Sequence, residues 1–293
     1  MALRNIENAL PISQERPKKL PKLSKNPEIG GLNDENILVP PPTESTIDYI
    51  ASENLKPFPD PESSVQRLLE ELASKDWIKV CESLNNTRRF AVYHSSLLLP
   101  ILEKLMVVMV KAMKNPRSAL CKTSIMACSD IFKAFGEKLT LLKTMDDLLL
   151  QLLMKASQDK KFVCEEADKA LNTMVNSVDS LPLLRKLNAY VRHSNPRVRA
   201  KAAVSTSNCV SKMEVNEMEE FGMVVIVQMA ADLLNDKLPE AREAARSMVN
   251  SVYEKFTWNE EEEGNKQEAW QRFCEKNLTG LNAQAMIKIV SSQ

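Results

Sequence analysis

From Asp60 onward the apolar residues recur at the spacing of one helix face, interrupted by short polar breaks. The pattern predicts helices over residues 62–74, 76–91, 96–114, 116–135, 144–157, 160–178, 181–193, 196–211, 217–235 and 239–257. Two more are expected at 265–277 and 281–290, after the acidic run Glu260-Glu261-Glu262-Glu263-Gly264. The first helix opens on Asp60-Pro61-Glu62. These are a capping carboxylate, a proline suited to the first turn, and an acid at the positive end of the helix dipole.

The second helix of four successive pairs repeats one stripe at i, i+4, i+7, i+11. It reads Leu120, Ser124, Ala127, Ile131, then Val163, Ala167, Ala170, Met174. Val198, Ala202, Ser205, Cys209 follow, and then Ala241, Ala245, Met248, Val252. The stripes start 43, 35 and 43 residues apart, close to the period of about 40 expected of HEAT-like helical pairs. One such pair cannot hide its apolar face alone, so the pairs must stack, and the small residues let neighbouring helices approach closely. The expected fold is all-α, an α-α superhelix of about five HEAT-like or armadillo-like helical pairs with a C-terminal capping pair. Three segments follow: a disordered tail over 1–60, a repeat domain over 61–258, and an acidic linker with capping helices over 259–293. The tail assignment rests on composition. Nine of the 15 prolines lie in it, with little apolar periodicity to offset the entropy of ordering. Its basic cluster Arg16, Lys18, Lys19, Lys22, Lys25 is either a solvated tail or an accessory contact to an acidic surface.

Composition narrows the function classes. Basic and acidic residues balance at 39 each, so the chain lacks the global basic field of a nucleic-acid binder, and any electrostatic partner must be met by a local patch. The six cysteines form no C-x-x-C pair and read as reduced thiols of a cytosolic protein. The N-terminus lacks the apolar run of a signal peptide. The longest apolar stretch, around 97–113, is broken by Pro100, Glu103, Lys104 and Lys111, so no membrane partner is expected. A glycine-rich phosphate loop, a G-x-S-x-G elbow and metal-ligand spacing around His94 and His193 are all missing. The expectation is a non-enzymatic protein without cofactor.

The turns inside the pairs share a chemistry. They read Ser74-Lys75-Asp76-Trp77, Lys114-Asn115-Pro116-Arg117, Gln158-Asp159-Lys160-Lys161, His193-Ser194-Asn195-Pro196-Arg197-Val198-Arg199 and Asn235-Asp236-Lys237-Leu238-Pro239. Asn and Pro are accounted for as cap and first-turn residues. The cations are not. Arg117, Lys160, Lys161, Arg197, Arg199, Lys237 and Arg242 sit at helix starts, where they oppose the dipole at a cost of a few tenths of a kcal/mol. Either they are ordinary surface charge, or stacking lines them up as an edge for an acidic partner. Trp77 either packs on the helix below or anchors that edge.

The stretch Ser74-Lys75-Asp76-Trp77, running into Glu82-Ser83-Leu84-Asn85, Arg88-Arg89 and Tyr93-His94, resembles the opening repeat of TOG domains. Arg117-Ser118 with Cys128-Ser129-Asp130-Ile131-Phe132, and Asp168-Lys169-Ala170-Leu171 with Met174-Val175-Asn176, extend the likeness over residues 62–257. The stretch is similar to the C-terminal TOG domain of the TOG array regulators of axonemal microtubules, and beyond that to CLASP-type TOG domains. It implies a tubulin or microtubule partner, a place on the microtubule cytoskeleton in the cytoplasm, and a role in microtubule organisation. It also implies contact through the intra-repeat turns: Trp77 as the aromatic contact, Arg117 in the second turn, Lys160 and Lys161 in the third, Arg197 and Arg199 in the fourth, Lys237 and Arg242 in the fifth. The alternative is a general helical-repeat adaptor that binds another protein in its concave groove.

Overall fold

The computed structural model describes residues 49–257 and 263–291, and every regular element among them is helical. Helix α1 (Pro61–Leu72) begins where the Asp60 carboxylate accepts from the Ser63 N–H at 3.2 Å, with Pro61 in the first turn. Helix α2 (Trp77–Tyr93) is capped in the same way by Asp76, which accepts from the Ile78 N–H at 2.9 Å.

The single helix expected over 96–114 is instead α3 (Ser95–Leu98), a 3-10 turn and α4 (Leu102–Lys114). Pro100 falls inside the 3-10 turn; it cannot donate, and its ring obstructs the preceding turn. Helix α5 (Ser118–Phe135) ends at Gly136, whose φ of +29° favours glycine. A Cβ there would lie 2.2 Å from the Ser177 carbonyl oxygen, so this chain crossing is closed to any larger residue. Helices α6 (Met145–Ala156), α7 (Lys161–Ser177), α8 (Ser180–Leu187) and α9 (Pro196–Lys212) follow. The helix expected over 217–235 is divided into α10 (Val215–Phe221) and α11 (Met223–Leu234) by Gly222, which has φ +103°. Helices α12 (Pro239–Phe256), α13 (Glu263–Asn277) and α14 (Gly280–Ser291) complete the chain.

The pairs α1/α2, α4/α5, α6/α7, α8/α9 and α11/α12 stack in sequence. Their second helices lie together, α2 on α5 on α7 and α9 on α12, while α9 rests on α6 as well as α7. All sixteen stripe residues named above are buried, as a stack of small-faced helices requires. Even the hydroxyl in the stripe is satisfied, since Ser124 Oγ donates to the Met109 carbonyl at 2.9 Å. The α13/α14 pair covers α12 with an aromatic cluster. Trp270 is buried edge-on to Tyr253 and Phe256 and stacked on Phe273, with its indole N–H directed at the Met286 carbonyl. The cysteines are unpaired thiols, and burial pushes Cys81 and Cys209 up to about 11 and Cys274 to about 12.

The expected boundary of the disordered tail is corrected. Residues 49–60 are a strap laid against α2 and α5, with Leu55 buried and Phe58 stacked on Phe90 at 4.5 Å. Arg88 and Asp130, both only 1% exposed, form an ion pair at 2.7 Å between α2 and α5. The strap completes it: Ser52 Oγ donates to Asp130 Oδ1 at 2.6 Å and accepts from Arg88 at 3.2 Å, and the Ile50 carbonyl accepts from Arg88 at 2.7 Å. The Tyr93 hydroxyl donates to the Leu55 carbonyl, and Arg89 donates to the Lys56 and Pro57 carbonyls while covering the Phe58 ring. The rest of that tail, with its basic cluster, lies outside the described residues.

Candidate functional site: the edge formed by the intra-pair turns

Each intra-pair turn touches the next. Between the first and second, the Arg117 guanidinium stands 5.7 Å from the centroid of the Trp77 ring. Between the second and third, Lys160 Nζ donates to Ser118 Oγ at 2.9 Å. Between the third and fourth, Arg197 donates to Asp159 at 2.5 Å. Between the fourth and fifth, Arg199 is paired with Asp236. Turns about 40 residues apart in sequence are thereby joined into one edge by a ladder of polar and cation–aromatic contacts.

Of the eight residues singled out by the turn chemistry, Trp77, Arg117, Lys160, Arg197 and Arg199 form the ladder, whereas Lys161, Lys237 and Arg242 make no turn-to-turn contact in it; the eight also differ in availability. Arg117, Lys160, Lys161, Arg197 and Lys237 are exposed; Arg199, Arg242 and Trp77 are half-buried. The Trp77 ring packs partly against the core and partly faces Arg117, so both readings of it hold in part. Lys161 makes a loose pair at 3.7 Å with Glu165 in fully solvated surroundings, where such a pair is worth little.

One inference from helix-dipole arguments is corrected. The turn cations are not without internal work. Arg197 binds Asp159, and Arg199 binds Asp236 and also the His193 carbonyl at 2.7 Å. Arg242 donates to the Asp236 and Lys237 carbonyls at 2.7 and 3.1 Å. These bonds tie down carbonyls within each arginine's own turn and the Asp159 and Asp236 carboxylates that the stacking brings near. Burial works to raise the Asp236 carboxyl. The hydrogen bonds from Arg199 and the Leu238 N–H, with the charges of Arg199 and Arg242, outweigh it and hold the group below the usual carboxylate range.

The exposed positive charge of the edge therefore gathers in its second and third turns, at Arg117, Lys160 and Lys161, and recurs in the fifth at Lys237. Sequence reasoning missed Ser118 and Asp159, which join the turns, and the exposed ring of Phe162 beside Lys161. Phe162 sits one residue ahead of the Val163 stripe, and that offset was the available signal. Among the described residues, no group of three or more His, Cys, Asp or Glu is placed to hold a metal ion. No helix there is long and apolar enough to cross a membrane.

Residues 91–264 match the family described as CLASP N terminal, a span that takes in the second to fifth turns but not Trp77. The chain is 29% identical over 199 residues to the TOG array regulator of axonemal microtubules protein 1 of Mus musculus, across 67% of this chain and 11% of that protein. It is 33% identical over 167 residues to the protein of that name from Homo sapiens, across 57% of this chain and 8% of that one. It thus spans a small part of the length of these curated relatives. In three dimensions it is similar to a TOG domain from C. elegans Zyg9, with a TM-score of 0.57 at 14% identity, over 83% of this chain and 90% of that one. The resemblance read from the opening repeat and the helical stack is thereby upheld.

Proposed function

The chain belongs to the CLASP N-terminal family, and from that premise we propose that it binds αβ-tubulin or the microtubule lattice through the edge of intra-pair turns. On this reading it is a non-enzymatic protein of microtubule organisation in the cytoplasmic cytoskeleton. The observation that carries the proposal is the unbroken ladder Trp77–Arg117, Ser118–Lys160, Asp159–Arg197, Arg199–Asp236. A fixed edge with an aromatic at one end and free cations beside it presents to an acidic protein surface both steering charge and an anchor. The resemblance assigns the same turns to tubulin, and the relatives bear names that refer to microtubules.

Within this reading the residues divide by role. Trp77, Arg117, Lys160, Lys161 and Lys237 meet the partner. Arg197, Arg199 and Arg242 hold the turns in register and add charge at the margin. An adaptor groove on the second-helix face is less well supported, because the strap already covers that face at the first two pairs.

Co-sedimentation and gel filtration of the full chain with tubulin test the proposal. Trp77→Glu with Arg117→Ala is expected to weaken binding at least tenfold while the protein stays folded, melting somewhat lower because the core-facing part of the Trp77 ring is lost. Equal binding by the two proteins contradicts the edge. Absence of binding by the wild type at low salt favours the adaptor.

A further inference from the structure

Two half-exposed aromatic rings stand against one lysine. Phe162 is 43% exposed and Tyr49 41% exposed. Lys122 Nζ lies 4.4 Å from the Tyr49 ring centroid and 5.9 Å from that of Phe162. Phe162 is the second residue of α7 and follows Lys160 and Lys161 directly, so this corner continues the third turn. Lys122 lies one turn into α5, four residues beyond Ser118, whose hydroxyl receives the Lys160 ammonium.

Tyr49 is not part of the helical array. The strap delivers it, through the Ile50 carbonyl on Arg88 and the Ser52 hydroxyl on Asp130. Burying a phenyl side chain outright stabilises a fold, and at Phe162 part of that gain is forgone. Single exposed apolar side chains need no explanation. Two rings converging on a lysine beside a cationic edge have the make-up of an interface anchor. Lys122 is also 3.8 Å from Glu166, which offsets its charge, so the corner presents ring faces more than an ammonium.

We propose that Tyr49 and Phe162 form a second anchor, where the tubulin-binding edge turns onto the second-helix face. The inference rests on the edge reading of the function. The tubulin surface that fits there places apolar or stacking side chains next to carboxylates that face Lys160 and Lys161.

The experiment measures affinity of the full chain for αβ-tubulin by sedimentation at low salt, with a thermal melt of each protein. Tyr49→Ala with Phe162→Ala is expected to bind at least tenfold more weakly and to melt as the wild type does. Tyr49→Phe with Phe162→Tyr is expected to bind as the wild type does. Phe162→Ala alone, which leaves the strap untouched, should weaken binding several-fold, and wild-type affinity there overturns the anchor even if the alanine pair folds poorly. Wild-type affinity of the alanine pair, alongside loss in Trp77→Glu/Arg117→Ala, overturns the second anchor and leaves the edge standing. The opposite pattern keeps the aromatic corner and overturns the edge reading. Wild-type affinity in both pairs overturns both.

Discussion

Arg88 and Arg117 lie on adjacent second helices, and the protein uses them in opposite ways. Arg88, near the end of α2, is fully buried and bonded to Asp130, Asn85, Ser52 and the Ile50 carbonyl. Arg117, at the start of α5, is exposed beside the Trp77 ring and has no ion pair among the described residues. Position within the repeat decides the difference. The strap covers the far parts of α2 and α5, so a charge buried beneath it must be satisfied internally. The turn ends stay open to water, where a cation costs little and can meet a partner. A guanidinium thus identifies neither a structural nor a binding residue; its place along the helix does.

Removal of each arginine in turn sharpens the contrast most. Arg88→Ala leaves Asp130 buried and uncompensated and is expected to destabilise the fold by about 3–5 kcal/mol, whereas Arg117→Ala should stay within about 0.5 kcal/mol of wild type in chemical denaturation. Replacing both members of the buried pair with apolar residues, Arg88→Met with Asp130→Leu, should recover much of that loss, because no lone charge remains. Retention of wild-type stability by Arg88→Ala would break the comparison at its root.

Salt is the next discriminator. Raising ionic strength from about 0.05 to 0.5 M shortens the screening length severalfold. Tubulin binding through Arg117, Lys160, Lys161 and Lys237 should then weaken about tenfold or more, while the melting temperature, set by buried contacts, changes little. Parallel loss of both would place binding and stability on the same charges.

The smallest effect concerns Asp236, the carboxylate that Arg199 holds below its ordinary range. Because its folded value is depressed, the stability it adds is present above the unfolded value of about 3.9 and is lost as pH falls through the lower folded value. Asp236→Asn should therefore cost on the order of 1 kcal/mol near neutrality and progressively less in acid. A cost that grows as pH falls would contradict the assigned role.

The stack was legible because its signal is local and periodic. The stripes of Leu120, Val163, Val198 and Ala241, and the caps at Asp60 and Asn195, are written within one helix each. The breaks at Pro100 and Gly222 were overlooked because apolar residues continue on both sides of them. The strap was illegible for a different reason. Much of its attachment runs through the carbonyls of Ile50, Leu55, Lys56 and Pro57, and backbone acceptors leave no mark in a sequence. In the edge, the positions of the cations were readable but their partners were not. Asp159 lies 38 residues from Arg197, and Asp236 lies 37 from Arg199, and only stacking makes them neighbours.

The claim that the intra-pair turns are the tubulin-facing surface is tested most directly by amide hydrogen exchange of the full chain with and without αβ-tubulin. Slower exchange is expected in the turns around Trp77, Arg117, Lys160 and Lys237, with the α13/α14 pair unchanged. Slowing confined to the second-helix face beyond the strap, with these turns exchanging as in the free protein, would contradict the account.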